Sequence, residues 1–87
     1  MGFVENQLKL EKENLRESVR SNYAHGKCLI KLQEDFRSGK IDGDNFRIRK
    51  IYHQSVINEQ TKWGVPLGKT DKKILYLDAK KKVKNSL

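Results

Sequence analysis

His25 and Cys28 stand one helical turn apart, the spacing of two metal ligands on one helix face, and Cys28 is the only cysteine. A structural zinc takes four such ligands, so the pair predicts no metal site. His53 stands alone beside Ile57, the position of a satisfied interface histidine rather than of a general base. Gly64-Val65-Pro66-Leu67-Gly68-Lys69-Thr70 ends like a phosphate-binding loop. Three residues separate its glycines where four are needed, Pro66 removes an amide, and no strand precedes it. Asp42 and Asp44 begin like a calcium loop, but Phe46 and Arg47 fall where a ligand and the turn glycine belong. Glu59, Asp71 and Asp78 are isolated, so neither a carboxylate pair nor a Ser-His-Asp arrangement is available. A metal-free nuclease built on His53 with a nearby Lys or Arg is the one catalytic alternative. The sequence otherwise predicts no enzyme, no metal and no cofactor.

The residues that remain are cations with aromatic rings among them. Residues 1 to 45 hold eight Lys or Arg and eight Asp or Glu, whereas residues 46 to 87 hold eleven and three, so the formal charge of +8 belongs to the second half. Such a field attracts polyanions. Arg47, Arg49, Lys50, Lys62, Trp63, Lys69, Lys72, Lys73, Lys80, Lys81, Lys82 and Lys84 form the predicted nucleic-acid-binding set. Cations there would neutralise phosphates and release counterions, and Trp63 or Tyr76 could stack on unpaired bases. Core packing is the competing role of the two rings. No run of base-reading arginine and asparagine stands out, which favours backbone contact, RNA ahead of duplex DNA.

These groups need elements to hold them. The 87 residues allow one small domain, and with 36% hydrophobic and 34% charged residues a monomer would bury little apolar surface. Val4, Leu8, Leu15, Val19, Tyr23, Leu29, Leu32 and Phe36 follow at steps of three, four, six or seven and predict one long helix over 1–37. Glu13 with Arg16 and Glu17 with Arg20 would support it as ion pairs on its solvent side. Gly26 predicts a kink or break near 22–26. Gly39 closes this helix, and Asp42 caps a second over 43–62 that stops before Gly64 and Pro66. A loop over 63–71 leads into a basic segment, 72–87, whose Ile74 to Leu77 reads as a short helix or a strand; its last residues are expected to fray.

Leu29, Leu32, Phe36, Gly39, Ile41, Phe46 and Lys50 resemble the short helical hairpin called SHOCT over about residues 29 to 53. Asp42 stands where that pattern has threonine, and Asn45 where it has glutamate. The resemblance implies an oligomerisation or interaction hairpin and no activity.

The expected architecture is therefore all-α, an antiparallel hairpin with a basic C-terminal segment. The second helix is apolar around more than half its circumference, more than one neighbour can cover. A second copy packed on Ile48, Ile51, Tyr52 and Val56 is the favoured cover, and back-folding of the C-terminal segment is its rival. The lone thiol and the short apolar runs suit the cytoplasm and predict no membrane span. The opening Met1-Gly2-Phe3-Val4-Glu5-Asn6 has Asn6 where a myristoylation signal has Ser or Thr. The reading that results is a non-enzymatic basic protein binding nucleic acid. Its alternative is an adaptor or inhibitor of phage or mobile-element origin, docking on a nuclease, polymerase or defence protein with an acidic or nucleic-acid-filled groove.

Overall fold

The computed structural model describes residues 2–86, with side chains from residue 4 onward. Its elements are α1, Gly2–Arg37, α2, Gly43–Trp63, and α3, Lys69–Asn85. The protein is all-α, and α1 and α2 form the expected antiparallel hairpin. At about 1.5 Å per residue α1 alone is roughly 54 Å long, which accounts for the longest dimension of 57 Å against 25 and 17 Å for the others. No described helix is long and apolar enough to cross a membrane.

The hairpin turn is built by local chemistry. Gly39 takes a positive φ of 79°, and Lys40 N–H donates to Asp35 O at 2.8 Å as the last turn of α1 closes. Asp42 then adopts an extended backbone and its Oδ1 accepts from Asn45 N–H at 2.7 Å, the cap the sequence predicts. Asp44 plays another part, lying 3.7 Å from Arg47 in an exposed pair. Phe36 and Phe46 stack across the turn with centroids 4.3 Å apart. At the other end of α2, Gly64 takes φ 68° and donates to Gln60 O, a left-handed cap that lets the chain reverse into α3.

Back-folding, the rival arrangement, is what covers α2. The helix packs on α1 with one side and on α3 with the other, and the backbones of α1 and α3 stay apart. Val56 is completely buried, while Ile48, Ile51 and Tyr52 are half-buried beside α3. The neighbour that Ile48, Ile51 and Tyr52 meet is thus α3, and with Val56 already enclosed the four leave no broad bare face to demand a second copy. The C-terminal segment is helical through Asn85 rather than frayed, because Ala79 and Val83 sit against α2 with 0% and 4% of their surface exposed.

Helix α1 departs from its predicted pattern in three ways. It runs unbroken through Gly26, whose missing side chain faces open space. The pairs Glu13 to Arg16 and Glu17 to Arg20 do not close, since Asp44 to Arg47 is the one ion pair among the described residues. The apolar positions also fall on two faces. Leu29 and Leu32 turn toward α2, whereas Val4, Leu8, Leu15, Val19 and Tyr23 are each more than half exposed. The six-residue step from Tyr23 to Leu29 shifts the stripe around the helix. Ser18, Ser21, Asn22 and His25 occupy the α2-facing side in the upstream turns instead.

Candidate nucleic-acid interface

Antiparallel packing of α3 on α2 brings the end of one against the start of the other, and cations gather there. Arg47, Lys50 and Lys82 line one groove together with Ile51, Val83 and Ser86. Lys80 and Lys84 line a second with Asp44, Ile48 and Val83. Five of the predicted residues therefore surround Val83, and Asp44, paired with Arg47, is the one carboxylate among the described residues that line the two grooves. The buried valine fixes the backbone that carries them.

The remaining cations spread away from this cluster. Lys69, Lys73, Lys80 and Lys84 follow at steps of four, seven and four, one exposed flank of α3 about 22 Å long at 1.5 Å per residue. Lys81 is exposed outside that line, and Lys62 lies over the Trp63 ring at 5.1 Å. Trp63 is 63% exposed, which excludes the core role, and its Nε1 donates to Glu59 Oε2 at 3.0 Å. It closes α2 at the far end from Arg47, about 24 Å away along the helix, so cluster and ring cannot meet the same nucleotide. Tyr76 is half-buried, edge-on to Tyr52 at 5.5 Å, with Lys80 Nζ 4.9 Å from its centroid. Packing is its observed role.

Lys72 and Arg49 belong to a different constellation, which the sequence did not reveal. His25 of α1 and His53 of α2 approach Nδ1 to Nδ1 at 2.7 Å, with Tyr52 edge-on to both. One Nδ1–H must donate to the other bare Nδ1, so the two rings carry opposite tautomers. Desolvation lowers the His53 pKa to about 4, helped by His25 and by the Arg49 charge. His25 is lowered by desolvation and by Lys72. Tyr52 is raised, first by burial and then by the neighbouring Cys28. Both imidazoles are thus neutral near pH 7 and bonded to each other. No group of three or more metal-ligating side chains occurs among the described residues, and Cys28 is exposed rather than gathered in.

Gln60 is the other missed residue. It has no exposed surface, yet its Oε1 accepts from Ser21 Oγ at 3.2 Å and from Leu67 N–H at 3.0 Å, and its Nε2 donates to Asn22 Oδ1 at 2.8 Å. Asn22 Nδ2 in turn donates to Thr61 Oγ1 at 3.1 Å. One amide therefore ties α1, α2 and the loop before α3. The available signal was the spacing of Ser18, Ser21, Asn22 and His25, a polar strip where an apolar one was expected.

No family model matches the chain, and no curated protein or solved structure matches it either. The likeness of residues 29 to 53 to a SHOCT hairpin rests on local pattern alone.

Proposed function

We propose that this chain is a non-enzymatic nucleic-acid-binding protein that grips the phosphate backbone at the junction of α2 and α3. The observation that carries the reading is the gathering of Arg47, Lys50, Lys80, Lys82 and Lys84 around Val83 with one weak ion pair among them. Cations without carboxylate partners are available to displace counterions. The lysine flank of α3 continues from this cluster as a single line, which suits one strand more than the two of a duplex and keeps RNA ahead of duplex DNA.

The test is a salt titration of binding to a single-stranded RNA and to a DNA duplex. Changing Lys80, Lys82 and Lys84 together to Gln should flatten the log-log slope by about 2 units on single strands and slightly more on duplex, from roughly 0.7 and 0.9 per contact. Substitution is preferable to truncation, since deleting 80–84 also removes Val83 from the core. Absence of binding by the unmodified chain at low salt would defeat the reading and favour the protein-docking alternative.

A further inference from the structure

The N-terminal part of α1 is apolar on a side that nothing in the fold covers. Helix α2 ends beside Leu15, where a side chain at Gly64 would lie 3.8 Å from Leu15 Cδ1. Residues 4–14 therefore extend about 16 Å beyond the hairpin partner. The bare stripe is Val4 and Leu8 on these projecting turns and Leu15 and Val19 on the turns after them, each more than half exposed. Lys12, Arg16 and Arg20 edge it, sharing one shallow depression with Leu15 and Val19. Lys12 and Arg16 border the stripe on this side, Glu11 borders it on the other, and Glu13 and Glu17 stand one turn before Arg16 and Arg20, farther round the helix.

At the same end of the molecule an open groove shows the opposite pattern. Trp63, Leu67, Ile74 and Leu75 line it, and Glu59 and Asp71 supply its charged groups. Ile74 is half exposed and Trp63 more so, both large side chains that a monomer leaves wet. One surface is apolar with a basic edge; the other is apolar with an acidic rim.

We propose that the chain self-associates as a two-fold dimer in which the α1 arm of each copy, Leu8 to Val19, seats in the acid-rimmed groove of the other. A two-fold axis makes the contact twice, with Lys12 and Arg16 placed to meet Glu59 and Asp71. Pairing the two stripes with each other is the competing dimer. Antiparallel helices bring like edges together, so that arrangement would oppose the basic edge of one copy to the basic edge of the next. The proposal uses none of the residues around Val83 and is independent of nucleic-acid binding.

Sedimentation velocity on the full, nucleic-acid-free chain tests it at roughly 1 to 200 μM, the range of a weak specific association. A dimer that salt weakens is expected. Leu8→Glu and Ile74→Glu should each give a monomer of unchanged helicity, because both side chains are already about half exposed. An equimolar mixture of the two variants should recover association, since one arm and one groove in it remain intact. Arg16→Glu should weaken the dimer roughly tenfold, and adding Asp71→Lys should restore most of the loss. A monomer throughout for the unmodified chain would overturn the proposal. So would an Ile74→Glu variant that still dimerises while Leu8→Glu does not, which is the signature of stripe-on-stripe pairing, or a mixture that stays monomeric.

Discussion

Two residues on facing helices, His25 and His53, make the sharpest electrostatic statement in the molecule. Desolvation holds both pKa values below the ordinary 6.5, His53 at about 4, so the unfolded chain binds protons that the folded chain refuses. The sign follows directly: their contribution is complete above pH 6.5 and is lost as pH falls toward about 4. Urea midpoints measured across that window should fall with pH, and His53→Asn should flatten the fall. Gln60 allows a prediction of another kind. Gln60→Leu keeps the volume but strands Ser21 Oγ, Leu67 N–H and Asn22 Oδ1. Each stranded group costs about 1 to 3 kcal/mol if water cannot reach it. Chemical denaturation should show a loss well above that of Gln54→Leu, whose amide donates to Asn58 at the exposed surface.

At the scale of elements, the turn between α1 and α2 is the part most open to a direct check. Asp42→Ala should cost about 0.5 to 2 kcal/mol, the range for removing a helix cap. Asp44→Ala should cost less, because its exposed pair with Arg47 is long at 3.7 Å. Equal losses in urea melts would place the cap elsewhere. The turn was legible in the sequence because its determinants are local: Gly39 for a positive φ, Asp42 for a cap, Gly64 for a second reversal. The pairing of long-range partners was not. Val4 to Tyr23 belong to a regular helical repeat, and no spacing reveals that α2 ends beside Leu15, short of Val4 and Leu8, or that Leu15, Val19 and Tyr23 face away from it. Nor does spacing reveal that Ser21, Asn22 and His25 find matching polar groups in Gln60 and His53; polar residues on a buried face are acceptable only when such partners exist. The breadth of the apolar arc on α2 correctly required a second neighbour, but composition could not decide between α3 and another copy. Val83, set among lysines, carries the answer, and its lysine context hid it.

Viewed as a whole, the molecule is a central helix with a flanking helix on either side, and the backbones of the flanking pair stay apart. That topology has a thermodynamic corollary. Substitutions sharing no partner combine additively to within about 0.3 to 0.5 kcal/mol, whereas neighbours do not. Leu32 lies on α1 near the hairpin turn and Val83 near the end of α3, each buried on its own side of α2. Leu32→Ala and Val83→Ala should therefore sum in a double-mutant cycle. His53→Asn with Tyr76→Leu should not, because both side chains bear on Tyr52. Communication between the long arm and the lysine-bearing helix therefore has three places to run: the Tyr52 and His53 rings side by side on α2, the Gln60 amide that holds Ser21 and Leu67 at once, and the Lys72 charge that reaches His25 from across the bundle.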